Sequence, residues 1–168
     1  MELAHLEEIF GALNEAQTRY VVVGGLAVIA HGYVRYTNDI DLVIAFEPAN
    51  MERAMKALQD LGYTPKIPVE PLEFADPVKR QGWVEQKGMI VFQLINDRFR
   101  REPIDVFVFE PFDIERACAA REWRELGPTL KIPVVDLEQL LAMKRLANRD
   151  RDRIDIDQLL KLQKFRRE

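Results

Sequence analysis

Two acidic residues, Asp39 and Asp41, alternate with an apolar residue where the β-branched run 40–46 begins. Side chains two positions apart in a strand point to the same face, so the spacing predicts that the two carboxylates lie side by side. Adjacent carboxylates repel unless a cation lies between them or one is protonated. Mg²⁺, with Mn²⁺ as a substitute, suits such an oxygen pair. The alternative is that Asp39 belongs to a turn and Asp41 faces solvent.

A pair of glycines, Gly24 and Gly25, follows the apolar run 20–23 and precedes a segment of helical character. Glycine allows a ligand to approach the backbone closely. The helix start that follows offers free N–H groups and the positive end of the helix dipole, which suit a phosphate. A tight strand-to-helix turn without a ligand is the alternative.

A third acid, Asp105, interrupts the apolar segment 104–109. A carboxylate in a strand of this kind is costly to bury unless it is paired, hydrogen-bonded or bound to a metal. The alternative is an exposed position at the start of the strand, just after Pro103.

Together, the glycine turn and the three acids predict a phosphoryl-transfer site. Two Mg²⁺ ions held by Asp39, Asp41 and Asp105 would align a nucleoside triphosphate, activate the attacking hydroxyl and neutralise the leaving pyrophosphate. This chemistry depends on positioning and charge neutralisation, so it needs no serine, cysteine or histidine nucleophile.

The elements that must position these residues follow from hydrophobic periodicity and turn residues. Strands are predicted over residues 20–23, 40–46, 89–95, 104–109 and 130–134, with the third and fourth paired as an antiparallel hairpin. Helices are predicted over residues 2–17, 26–30, 49–61, 112–120, 136–148 and 152–165. The proline-rich stretch 63–82 is predicted to be extended loop with at most one short strand or helix. The pattern indicates an α/β or α+β domain with a mixed, twisted sheet flanked by helices.

The composition is that of one globular domain. The chain has 168 residues, of which 48% are hydrophobic and 31% charged. No apolar run approaches the ~20 residues of a membrane helix, so we expect no membrane association. The single cysteine, Cys118, excludes an internal disulfide framework and a cysteine-based zinc site. A reducing, cytoplasmic location is the expectation.

Charge is unevenly distributed along the chain. The net charge is −4, but residues 144–168 hold nine Lys or Arg and five acids, so they carry +4 and the remainder −8. An acidic body with a basic tail is not typical of a duplex-DNA-binding protein. It is compatible with a small anionic substrate, with RNA bound at one end, or with a solvated helix of mixed charge.

The residues Gly24-Gly25, the run Arg35 to Leu42 and Asp105 resemble the nucleotidyltransferase superfamily, which has the DNA-polymerase-β-like fold. That superfamily has a Gly-Gly or Gly-Ser turn, an Asp-x-Asp or Asp-x-Glu pair and a third acid on a later strand. Its minimal fold corresponds to residues 18–110 here. The Gly-Gly turn lacks a serine hydroxyl, so backbone amides alone would bind phosphate there.

The run from Ile132 to Leu159 resembles the tail of abortive-infection toxin nucleotidyltransferases of the AbiEii type. With that tail, the resemblance covers most of the chain as a single domain whose residues 112–168 form a C-terminal helical extension. It implies an enzyme that transfers a nucleoside monophosphate from an NTP to an acceptor hydroxyl or phosphate and releases pyrophosphate. An antitoxin partner is also implied.

The resemblance also implies residue roles. Asp39 and Asp41 would hold both metal ions, and Asp105 would hold the catalytic ion and help to take the acceptor's proton. The nucleotide-binding residues would be Gly24, Gly25, Arg35, Thr37 and Lys144.

Some of the assigned nucleotide ligands have structural alternatives. If Lys144 does not bind nucleotide, it is a solvated lysine. If Arg35 does not, it pairs with a surface acid. Asp152 and Asp155, spaced i, i+3 on the last helix, can form ion pairs with Lys144 or Arg149 and brace the wall of the site.

The acceptor and the class of activity stay open at the level of sequence. A toxin-like enzyme would modify RNA, such as a tRNA 3′ end, whereas a resistance enzyme would modify a small molecule such as an aminoglycoside or a lincosamide. A nucleotide-binding or antitoxin-like module without activity is a further alternative, although it has no need of three clustered acids. A phosphohydrolase is disfavoured because the chain has two histidines and no histidine cluster.

Overall fold

Seven strands form one mixed sheet in the computed structural model, which describes residues 1–100 and 102–166. The strands are β1 (Tyr20–Val22), β2 (Ile40–Ile44), β3 (Thr64–Pro65), β4 (Val91–Ile95), β5 (Ile104–Phe107), β6 (Glu122–Leu126) and β7 (Leu130–Val134). The helices of this part of the chain are α1 (Leu3–Glu15), α2 (Gly24–Ala30), α3 (Pro48–Asp60), α4 (Pro77–Lys87), α5 (Ile114–Ala120), α6 (Leu137–Ala147) and α7 (Asp150–Phe165). The α/β class predicted from the sequence is confirmed.

The strand order across the sheet is β3-β4-β5-β2-β1-β7-β6. β2 runs parallel to β5 and antiparallel to β1, and β1 runs parallel to β7. The two strands that carry Asp41 and Asp105 are therefore central neighbours. Their other residues are mostly apolar and fully buried, which is typical of a strand covered on both faces.

The predicted β4–β5 hairpin is present, with Gln93 opposite Asp105 in its antiparallel register. The prediction for residues 63–82 is wrong in part. This stretch holds β3, a short 3-10 helix (Pro71–Ala75) and the beginning of α4. Pro77 occupies the first turn of α4, and the Asp76 carboxylate caps that helix by accepting from the Val78 N–H at 2.8 Å. Proline is favoured at such a position because its missing N–H would have no helical partner.

The C-terminal segment contributes to the sheet as well as to the helical layer. The predicted strand at residues 130–134 is β7, which pairs with β1, and the unpredicted strand β6 pairs with β7 at the sheet margin. The Asp136 carboxylate caps α6 by accepting from the Gln139 N–H at 2.9 Å. The helix α6, which carries Lys144, packs against α7 and against α2, the helix that begins at Gly24.

No helix within residues 1–100 and 102–166 is both long and apolar enough to cross a membrane.

Candidate active site

The structure brings Asp41 and Asp105 together, although they are far apart in the sequence. The parallel register of β2 and β5 pairs Asp41 with Asp105 directly. Paired residues of neighbouring strands point to the same face, and such strands lie about 4.8 Å apart. Both residues are half-buried.

Asp39 lies one residue before β2 and is also half-buried. The next residue, Ile40, donates its N–H to the carbonyl of Pro103 at 2.9 Å, which ties this segment to the start of β5. The charge of Asp39 raises the pKa values of both Asp41 and Asp105. The three acids therefore form one electrostatically coupled group.

The coupling disfavours full ionisation of this group. Burial, followed by the charges of Asp105 and Asp39, raises the pKa of Asp41 to about 6. A hydrogen bond from the Gly25 backbone N–H and the charge of Lys144 act in the opposite direction. Burial also raises the pKa of Asp105, and the charge of Asp39 adds to this effect. A divalent cation bound between the carboxylates would relieve both the repulsion and the desolvation.

The donor set fits a magnesium or manganese ion that shares its ligands with a substrate. Mg²⁺ in phosphoryl-transfer enzymes is bound by one or two carboxylates, water and substrate phosphates rather than by an all-protein cage. Within residues 1–100 and 102–166, no three His, Cys, Asp or Glu side chains are arranged to hold an ion by themselves, so the three acids do not form a complete metal cage. The Asp41–Asp105 pair supplies the hard oxygen ligands that such an ion requires.

The glycine pair is packed directly against the acids. α2 begins at Gly24, so the two glycines form its first turn rather than preceding it as predicted. Gly24 has a φ of +62°, and a Cβ there would overlap the Oδ2 atom of Asp41. A Cβ on Gly25 would overlap the hydroxyl of Thr37. Both positions thus require glycine, at Gly24 for two independent reasons.

We expect Gly24→Ala to reduce nucleotide transfer by at least about 10²-fold, because the added methyl must displace the Asp41 carboxylate and small misplacements have effects of this size. Stability should also fall by about 1–2 kcal/mol, since alanine disfavours a left-handed backbone. Steady-state kinetics and urea unfolding measure the two effects.

The matched control for Gly24→Ala is Gly88→Ala. Gly88 has a similar φ of +59°, but a Cβ there meets no atom within 4 Å. This variant should lose comparable stability and retain full activity. Equal activity of the two variants would contradict the proposed packing of Gly24 on Asp41.

A buried group of four charged residues adjoins the acids. Lys144 on α6 lies 2.7 Å from Asp155 Oδ2 and 3.1 Å from Asp152 Oδ1, both on α7. The Nε atom of Arg35 lies 2.9 Å from Asp155 Oδ1. Lys144 is 6% exposed and Asp155 is 0% exposed. We call Arg35, Lys144, Asp152 and Asp155 the buried charge cluster.

This cluster decides between the alternatives of the sequence analysis. The predicted pairing of Asp152 and Asp155 with Lys144 is confirmed, and the solvated-lysine alternative is wrong. Arg35 does pair with an acid, but with one inside the protein rather than on its surface. The charge of Lys144 lowers the pKa of Asp41, so the cluster is close enough to act on the acid group.

Sequence analysis missed two residues of the site, Gln93 and Lys66. The Gln93 Nε2 atom donates to Asp105 Oδ1 at 2.8 Å, and the Lys66 Nζ atom donates to Gln93 Oε1 at 2.7 Å. The available signal was the polar residue between Phe92 and Leu94 in a strand predicted to pair with that of Asp105.

An open cleft of about 550 Å³ lies beside Asp39. It is lined by Met1, Tyr36, Asn38, Asp39, Arg100 and Pro103. The Tyr36 side chain is exposed, so an aromatic surface and a cationic side chain border the space next to the acids.

The family model described as nucleotidyl transferase AbiEii toxin, Type IV TA system, matches residues 9–168. Among curated proteins, none matches the sequence at a significant level. One similar solved structure is the lincosamide antibiotic adenylyltransferase LnuA with lincomycin bound. It has a TM-score of 0.60 and 16% identity, and the match covers 96% of this chain and 98% of that chain. A candidate nucleotidyltransferase from Thermotoga maritima has a TM-score of 0.57 and 16% identity, with 95% and 92% of the two chains covered. At such identities the two likenesses show a shared fold.

Proposed function

Because this chain belongs to the AbiEii family of nucleotidyltransferases, we propose that it transfers a nucleoside monophosphate from an NTP to an acceptor hydroxyl or phosphate and releases pyrophosphate. The observation that carries this proposal is the direct pairing of Asp41 with Asp105 across β2 and β5, beside the glycine turn.

The three acids are the proposed metal ligands and catalytic residues. Asp39 and Asp41 would hold both Mg²⁺ ions, and Asp105 would hold the catalytic ion and help to take the proton of the acceptor hydroxyl. When bound, Mg²⁺ or Mn²⁺ supplies charge neutralisation on the triphosphate and lowers the pKa of the attacking hydroxyl.

The nucleotide ligands in this proposal surround the glycine turn. Lys144 has three N–H donors, and two of them face Asp152 and Asp155, which leaves one for a phosphate. Arg35 adds positive charge on the same side. Asp41 and Thr37 pack on Gly24 and Gly25, in the space that side chains would take there. The two glycines and Thr37 thus lie directly beside the acids.

RNA, with tRNA as the first candidate, is the proposed acceptor. The family is one of toxins, and residues 144–168 carry a charge of +4 that suits a polyanion. The cleft beside Asp39 offers Tyr36 for base stacking and Arg100 for a phosphate. An antitoxin protein is the proposed physiological partner, and the cytoplasm, where tRNA is found, is the proposed location.

Incubation with Mg²⁺, each α-labelled NTP and total tRNA tests the proposal. We expect label on RNA with at least one NTP, pyrophosphate release in equal amount, and no label with the Asp41→Asn variant. Parallel reactions contain lincomycin or an aminoglycoside instead of RNA. Label on the antibiotic alone would overturn the RNA acceptor and retain the transferase. Calorimetric binding of NTP without any pyrophosphate release would overturn the catalytic proposal itself.

A further inference from the structure

Asp105 is held by a chain of two hydrogen bonds that starts at an exposed lysine. Lys66, just after β3, donates from Nζ to Gln93 Oε1 at 2.7 Å, and Gln93 donates from Nε2 to Asp105 Oδ1 at 2.8 Å. The backbone supports the same geometry, because the Lys66 N–H donates to the Gln93 carbonyl at 2.9 Å. Gln93 and Asp105 are cross-strand partners in β4 and β5.

Lys66 and Asp105 together set which way the Gln93 amide points. A lysine ammonium has donors and no acceptor, so the amide oxygen faces Lys66 and the NH₂ group faces Asp105. With the amide turned around, its oxygen would face a carboxylate oxygen and repel it. Both partners therefore require the same direction, and Lys66 reinforces the one that Asp105 favours.

The neutral amide also separates two charges. A lysine in direct contact with Asp105 would form an ion pair and compete with a cation for the same carboxylate. Gln93 instead occupies Oδ1 with an uncharged donor and keeps the ammonium one side chain further away. Within residues 1–100 and 102–166, Gln93 is the hydrogen-bond partner of this carboxylate, so Oδ2 is the oxygen left for other ligands.

We propose that Gln93 is a positioning residue that orients the Asp105 carboxylate for metal binding and transfer, and that Lys66 reinforces the direction of the Gln93 amide. This inference rests on the proposed function. A purely structural role explains the arrangement less well, because Phe92 and Leu94, on either side of Gln93, are buried and already anchor β4, whereas Gln93 is only half-buried.

Replacement of Gln93 by leucine tests this role with two readouts. We expect kcat to fall about 10–100-fold and the Mn²⁺ dissociation constant, measured by electron paramagnetic resonance without nucleotide, to rise several-fold, as for other groups that orient metal ligands. The KM for NTP should stay within about threefold, because Gln93 does not contact the nucleotide in this scheme. Wild-type kcat and Mn²⁺ affinity in Gln93→Leu would overturn the proposal.

Lysine variants check the direction of the amide. Lys66→Met should lower kcat several-fold. Lys66→Arg keeps the N–H donors and should therefore retain the wild-type kcat. Lys56→Met is the matched control, since Lys56 is an exposed lysine on α3 whose partner is Asp60. Equal kcat values for Lys66→Met and Lys66→Arg would overturn the role of Lys66. If the wild-type protein transfers no nucleotide, the proposed function fails, and the Mn²⁺ affinities alone then decide the role of Gln93.

Discussion

We expect the Asp41→Asn variant to lose nucleotide transfer. At neutral pH, we also expect it to be more stable than the parent protein. The rate should fall by roughly 10³-fold or more, because the variant loses a metal ligand worth several kcal/mol of transition-state charge stabilisation. The fold should be intact, since asparagine has the same shape and its oxygen can still accept the Gly25 N–H.

The gain in stability follows from the sign of the pKa shift. Burial, then the charges of Asp105 and Asp39, raises the pKa of Asp41 to about 6, above its value in the unfolded chain. The ionised carboxylate therefore destabilises the folded state above that pH, by an amount on the order of 3 kcal/mol. As the pH falls from about 6 towards 4, the folded state takes up a proton first and the penalty disappears.

Urea unfolding in the absence of divalent metal, at about pH 7.5 and pH 4.5, measures this linkage. Asp41→Asn should exceed the parent in unfolding free energy at the higher pH, and the difference should shrink at the lower pH. Asp60→Asn, at an exposed site on α3, is the control and should show little effect at either pH. If Asp41→Asn is less stable than the parent at pH 7.5, the burial of Asp41 and its repulsion by Asp105 and Asp39 do not destabilise the folded state as assigned.

Asp155→Ala is expected to lower the unfolding free energy by roughly 3–5 kcal/mol, because it leaves Lys144 and Arg35 without the carboxylate that faces both of them. Asp155 is 0% exposed, and its two oxygens lie within 3 Å of those two cations. Asp152 still contacts Lys144 but has no contact with Arg35.

The same substitution should raise the KM for NTP, since Lys144 and Arg35 are proposed phosphate ligands that lose their orientation. Asp157→Ala is the control on the same helix, because Asp157 is exposed and pairs with Lys161 at 2.7 Å. Its effect should stay within about 0.5 kcal/mol. Urea unfolding and NTP titration of both variants give the comparison, and equal destabilisation of the two would refute the energetic role of the buried charge cluster.

The strands and most helices could be predicted because their apolar periodicity is strong. The adjacency of Asp41 and Asp105 could not be derived from periodicity, since it depends on the order of strands across the sheet, and only the resemblance to a known family suggested it. The helix α4 was missed because Pro77 marks a helix start and a loop equally well. Gln93 was missed because a half-buried glutamine indicates no function until its cross-strand neighbour, Asp105, is known.

The pairing of β7 with β1 has a consequence for dissecting this protein. A fragment ending near residue 110 would retain all three acids and both glycines, and yet it would leave β1 with unsatisfied backbone groups along one side. An apolar strand bared in this way is a template for intermolecular association. The smallest soluble unit must therefore include β7, the strand partner of β1, although the three acids and both glycines all lie before it in the sequence.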